Sequence, residues 1–172
     1  MKISSNFGYK VNSLIVNGFP VVLTGNTSTV NYTLPNVEKN SKIEVVRGKS
    51  LSWYLAQNKW KGDSIASFEP GSVWYSYPLW GVQGAIQYVY KFLPDGSYTL
   101  SISGVEVKGT WNITGEETKS PVLNLKDNNV VTVWKIERLD EVYLTLFRDD
   151  VPLIGNPNYK FSSLRFKYSQ LQ

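Results

Sequence analysis

The chain has 172 residues, of which 42% are hydrophobic, 14% aromatic and 19% charged, a composition that folds as one sizeable domain or as a small module with a medium one. It contains neither cysteine nor histidine. That excludes disulfides, cysteine or Ser-His-Asp nucleophilic catalysis, and zinc sites built on those ligands. The formal charge of +4 is spread along the chain with no basic run beyond Lys59, Lys61 and, at a distance, Lys49. Nucleic acid is therefore not an expected partner, and no apolar stretch is long enough to span a membrane.

In chain order, the dominant signal is alternation with a period of two, which marks strands. Apolar residues share one face at Leu14-Val16, Val30-Tyr32-Leu34 and Ile43-Val45. Residues 49–58 carry the only helical signal, with Ser50 as a candidate N-cap for Leu51, Ser52, Trp53 and Tyr54. Alternation resumes at Tyr88-Tyr90-Phe92, Tyr98-Leu100-Ile102, Val105-Val107, Trp111-Ile113 and Leu123-Leu125. It continues through Val131-Val133, Leu144-Leu146 and Leu164-Phe166-Tyr168. Turn residues separate the runs: Asn17-Gly18, Gly25-Asn26, Pro94-Asp95-Gly96, Ser103-Gly104 and Asp127-Asn128-Asn129. Short strands at this spacing predict a sandwich or barrel. All six tryptophans follow Gly48-Lys49-Ser50, which sets the expected boundary between residues 1–48 and 49–172. The predicted fold class is all-β, a small N-terminal β-module followed by an antiparallel barrel or sandwich.

Two resemblances bear on the halves. The pattern Leu55-x-x-x-x-Trp60, the strand-turn-strand Tyr90-Lys91-Phe92-Leu93-Pro94-Asp95-Gly96-Ser97-Tyr98-Thr99-Leu100, and the Gly109-Thr110-Trp111 strand follow one another in residues 51–147. Trp134 to Leu139 and Leu144 to Leu146 complete the series. This order resembles the lipocalin-like domains common in Bacteroidetes proteins. The resemblance implies a small barrel in which Trp60, Trp111 and Trp134 are structural. The segment between Trp60 and Tyr88 exceeds that family's short pattern. Residues 9–47 carry Val16-Asn17-Gly18, then Tyr32-Thr33-Leu34-Pro35-Asn36-Val37, then Ile43-Glu44-Val45. They are similar to small β-repeats of bacterial surface proteins, which serve as spacers or adhesive stalk pieces. Both families work largely outside the cell, yet the polar Met1 to Asn6 is not a signal peptide. The expectation drawn from this tension is a phage virion protein, synthesised in host cytoplasm, with a bacterial surface or periplasmic protein as the alternative for a truncated chain.

The sharpest candidate site is the aromatic segment Trp74, Tyr75, Tyr77 and Trp80, which suits an anchor in a partner protein or a stack against a glycan. The competing reading has alternate members plugging one end of the barrel. Should the barrel enclose a cavity, Tyr90, Phe92, Leu100, Ile102, Ile113 and Leu125 would line it; a filled interior is the favoured state. Glu116-Glu117 and Asp149-Asp150 are adjacent pairs, expected in turns as solvated charge. Adjacent strand residues point to opposite faces, so neither pair can be the two arms of a glycosidase. No metal or cofactor is expected; calcium at Asp149-Asp150 with Asn156 or Asn158 is the single oxygen-ligand arrangement in view. Residues 160–168 read as an edge or closing strand, able as an edge to accept a neighbour's strand. The resulting expectation is a non-enzymatic structural or attachment protein acting on other protein subunits, a virion head or tail accessory component. The alternatives are a lipocalin-like binder of a small apolar ligand and a carbohydrate-binding module.

Overall fold

A computed structural model of the chain describes residues 1–24, 28–34, 40–68, 75–79, 87–152 and 160–171. The first 49 residues form two small antiparallel sheets. β1 (Lys2–Ser4) pairs with β4 (Thr29–Asn31), and β2 (Tyr9–Val16) lies between β3 (Phe19–Val21) and β5 (Ile43–Lys49). Val11, Leu14 and Val16, at or near every second position of β2, are buried. Asn17 and Gly18 both take positive φ, 52° and 83°, between Val16 and Phe19. Two such residues make the primed turn whose twist matches that of the strands it joins. Of Val30-Tyr32-Leu34, only Val30 lies within a strand, and Gly25-Asn26 falls outside the described residues.

β5 ends at Lys49, and α1 (Leu51–Ala56) starts two residues later. Ser50 is its N-cap, the side chain accepting from the Trp53 backbone N–H at 3.3 Å. The rest of the chain is strand: β6 (Lys59–Phe68), β7 (Tyr75–Pro78), β8 (Tyr88–Phe92), β9 (Ser97–Ile102) and β10 (Val105–Thr114), then β11 (Val122–Asp127), β12 (Val130–Leu139), β13 (Tyr143–Pro152) and β14 (Lys160–Gln170). From β8 to β14 each strand pairs with the next, β8 also pairs with β6, and β14 pairs back onto β6. The result is a closed, eight-stranded antiparallel barrel, with β7 as an additional strand on β6.

Turn chemistry sets the register of this ladder. Ser103-Gly104 and Asn128-Asn129 repeat the positive-φ pair, with φ of 47° and 91° in the first and 40° and 67° in the second. In the β8–β9 turn, Gly96 takes φ 83° and Asp95 accepts from the Ser97 backbone N–H at 2.9 Å and from its hydroxyl at 2.6 Å. Those two bonds hold the Asp95 carboxyl below the usual carboxylate range.

Period-two alternation fills the interior. Trp60, Tyr90, Phe92, Tyr98, Trp111, Leu123, Leu125, Trp134, Ile136, Leu144, Leu146, Leu164, Phe166 and Tyr168 form one buried cluster, to which α1 adds Leu55. Two expectations are corrected, and of a third the structure takes one alternative. Val131 and Val133 do share a face, but it is the outer one, at 54% and 48% exposure; Trp134 and Ile136 are the residues β12 buries. Of the two readings of the C-terminal strand, edge or closing, it is the closing one, because β13 and β6 occupy both of its sides. Asp149-Asp150 lies within β13 rather than in a turn, and Asp149 pairs with Lys135 at 2.8 Å.

Gly109 sits opposite Tyr98 in the ladder. A Cβ there would stand 2.3 Å from the Lys126 carbonyl oxygen and 2.7 Å from the Tyr98 ring. The absent side chain thus lets the tyrosine lie flat across the strand, which is the physical reason for glycine in the Gly-x-Trp motif. Gly109→Ala should destabilise the fold by about 1–3 kcal/mol through overpacking, although alanine ordinarily improves a strand interior. Urea titration reads this as a lower midpoint at unchanged slope; a raised midpoint would refute the steric account.

Candidate functional site

Sequence places candidate function in two regions, the barrel interior and the aromatic segment 74–80. The interior belongs to the protein's own side chains. Tyr90 stacks on Phe92 at 5.3 Å between ring centres, meets Tyr168 edge-on at 5.6 Å, and tilts against Tyr98 at 5.9 Å. Phe92 meets Trp111 at 5.6 Å; Phe166 continues the series, to Tyr168 at 5.9 Å and to Trp134 at 5.5 Å. Offset and edge-on pairs of this kind contribute about 0.5–1.5 kcal/mol each beyond the area they bury. Of the six candidate lining residues, Tyr90, Phe92 and Leu125 are buried in this cluster. Leu100 and Ile113 pack against it, and Ile102 is half-buried beside the β9–β10 turn. Two indole N–H groups are engaged at the end where α1 sits. Trp60 donates to the Leu55 carbonyl at 2.9 Å, and Trp111 to the Leu93 carbonyl at 3.1 Å.

The aromatic segment belongs to the opposite end of β6. Trp74 and Trp80 lie outside the described residues, while the backbones of Tyr75 and Tyr77 are strand residues of β7, in register with Ser67 and Ile65. β7 and β8 both pair with the same edge of β6, β7 with Ser64 to Ser67 and β8 with Lys59 to Lys61. Ser64 pairs with Pro78 and Lys61 with Val89. Three steps back along β6 therefore advance the partner by eleven, an excess of eight over a continuous ladder. β7 and β8 are one barrel strand with eight extra residues, 80–87, between its halves. Leu79 continues the first half, its backbone N–H donating to the Asp63 carbonyl at 2.8 Å. Gly62 marks the junction, where a Cβ would press against Leu79 and Tyr88 at 3.3 Å. Among the described residues, the other edge of β7 has no partner strand.

At the α1 end, the N-terminal sheets meet the barrel through polar and aromatic contacts that sequence reading does not find. The Ser52 backbone N–H donates to Glu116 Oε1 at 2.9 Å, and the Ser52 hydroxyl bonds the same oxygen. Lys49 pairs with Glu141 at 2.9 Å and stands 3.8 Å over the Trp53 ring. Phe7 meets Trp111 edge-on at 6.2 Å, and Gly8, at φ 79°, lies against Trp53. Glu116 is thus an anchor for α1 rather than solvated loop charge. Ser52 and Glu116 are 64 positions apart, so no local pattern could have joined them. No group of three His, Cys, Asp or Glu that could hold a metal occurs among the described residues; Asn156 and Asn158 lie outside them.

Two outcomes follow from these arrangements. Burial, then the neighbouring phenols, pushes the Tyr90 and Tyr168 hydroxyls above their ordinary range. The unfolded chain loses those protons near pH 10 while the folded chain keeps them, so the unfolded state binds fewer protons and stability falls as pH rises. Each tyrosine should cost about 1.4 kcal/mol per pH unit above about pH 10. Urea titrations between pH 9 and 11 should show that loss, and Tyr90→Phe with Tyr168→Phe should flatten it; an unchanged slope in the double variant would place the titration elsewhere. Excision of residues 80–87 should rejoin β7 to β8 in register. The shortened chain is expected to keep its far-ultraviolet circular dichroism and a single cooperative transition, whereas a collapse of both would show that the eight residues hold the barrel together.

No family model matches the chain and none of the curated proteins matches it.

Proposed function

We propose that the chain is a non-enzymatic structural or attachment protein that works through contacts with other protein subunits, as an accessory component of a virion. The supporting observation is the split second strand. A ladder interrupted by eight extra residues and flanked by aromatics is a costly feature for a barrel to carry. A contact surface mounted on a rigid β scaffold gives it a use. The interior supports the same reading, since stacked aromatic rings occupy the space a small apolar ligand would need. Two carboxylates have structural partners in keeping with this reading: Glu116 bonds Ser52 and Asp149 pairs with Lys135.

Light scattering on the purified chain tests this. The expected result is a defined oligomer, or incorporation into a particle when co-expressed with neighbouring genes' products. Trp74→Ala with Trp80→Ala should dissolve that assembly without lowering the urea midpoint. A monomer at all concentrations whose tryptophan emission is quenched on titration with fatty acids would overturn the proposal in favour of a lipocalin-like binder.

A further inference from the structure

Lysines far apart in the chain meet on one outer face of the barrel. Lys59, Lys91, Lys108 and Lys126 stand 17 to 32 positions from one to the next. In the ladder, Lys59 lies directly opposite Lys91, Lys91 opposite Thr99, and Thr99 opposite Lys108. The neighbouring row runs from Ser97 through Thr110 to Lys126. Trp60, Tyr90, Phe92, Tyr98, Trp111 and Leu125, at alternate positions of the same strands, are buried, so both rows face outward and all four lysines are exposed. None of the four is ion-paired among the described residues. Glu106, two positions from Lys108, is the one acid on the outward positions of β8 to β11.

Like charges directly opposite one another in an antiparallel pair, with Cβ atoms about 4.5–5.5 Å apart, destabilise the sheet. Lys59 and Lys91 are placed in that way, and an anion bound between them turns the repulsion into attraction. Four strand spacings of about 4.8 Å separate Lys59 from Lys126, about 19 Å in all. One strand of a duplex sets a phosphate about every 3.4 Å along its axis, so the face spans about five or six of them. Lysine, serine and threonine are side chains that hold phosphate oxygens without reading bases. Here Ser97, Thr99 and Thr110 stand beside and between the lysines. Two other polyanions suit the face less well. The cores of packed protein interfaces are enriched in aromatic residues and arginine and depleted in lysine, and single strands are held by bases stacked on aromatic rings. The two rows contain neither arginine nor an aromatic side chain.

We infer that this face binds the phosphate backbone of a nucleic-acid duplex through Lys59, Lys91, Lys108 and Lys126, without reading its sequence. A search along the chain for a basic run misses it, because the charges come from four different strands and only the register brings them together. The face lies apart from the aromatic segment 74–80, and either proposal can fail without the other.

Fluorescence anisotropy of an end-labelled 20-base-pair DNA duplex, titrated with the full chain at several sodium chloride concentrations, tests the inference. Binding should be micromolar at low salt, with a slope of log K on log salt of about −3 to −4, as three or four phosphate contacts require. A duplex of unrelated sequence should bind equally. Lys91→Glu with Lys108→Glu should weaken binding about 10-fold or more, with a urea midpoint that stays level or rises because Lys59 gains an opposite charge. Lys2→Glu with Lys119→Glu makes the same change in net charge away from the two rows and should leave binding within about threefold. Trp74→Ala with Trp80→Ala should leave it unchanged. The inference is overturned if the duplex fails to bind at low salt, or if the Lys2 and Lys119 variant loses as much affinity as the Lys91 and Lys108 variant. It is also overturned if poly-glutamate displaces the labelled duplex more effectively than unlabelled duplex does at equal charge, which would assign the face to an acidic protein.

Discussion

The ladder between β14 and β6 is what makes a barrel of this chain. Without it, the strands from β6 to β14 would be a meander with two bare edges and one half-covered apolar face. With it, Gln170 to Ser163 run against Trp60 to Phe68, and Phe166, Tyr168 and Leu164 are carried over the aromatic side chains of β8 and β9. Closure is entropically expensive, because it joins residues about a hundred positions apart. The return is the aromatic network: Tyr168 bridges to Tyr90, and Phe166 to Trp134 and Tyr88. The surface ion pairs matter less. Arg165 and Glu137 make a two-point contact at 2.6 and 2.8 Å beside the seam, yet exposed pairs of this kind contribute about 0–1 kcal/mol.

Local chemistry was readable from the residues; pairings over distance were not. Asn17-Gly18, Ser103-Gly104 and Asn128-Asn129 announce themselves because positive φ restricts which residues a primed turn accepts. Ser50 announces α1 because a hydroxyl there replaces a missing backbone acceptor. Val131 and Val133 misled for a physical reason. Alternation shows that two residues share a face, but not which face, and Trp134 one step later decides it. Residues 160–168 left edge and closure open because both put cations outward. Only the partner strand separates the two, and β6 is a hundred residues away. The aromatic segment 74–80 was legible as unusual, and the cause of its oddity was not. That a strand breaks at Leu79 and resumes at Tyr88 follows from the pairing of β6, which no run of the segment's own residues encodes.

The two ends of the barrel are built differently. At the α1 end polar groups are answered one by one: the Trp60 and Trp111 indoles by carbonyls, Ser52 by Glu116, and Lys49 by Glu141 and the Trp53 ring. Such an end is held in a single arrangement, which suits a seam between two units.

The opposite end of β6 tolerates interruption because of closure itself. β6 is bound along nearly its whole length by β14, so its other edge need not carry an unbroken partner. β7 can hold Ser64 to Ser67 and β8 can hold Lys59 to Lys61, with the break falling at Gly62, where no side chain obstructs Leu79 and Tyr88. Not every barrel strand has this freedom. β11, for example, pairs through short ladders on both sides, and an insertion there would open a gap in each. The break in the partner ladder thus falls on a strand that β14 holds from the other side, so the same seam that builds the core also spans the interruption.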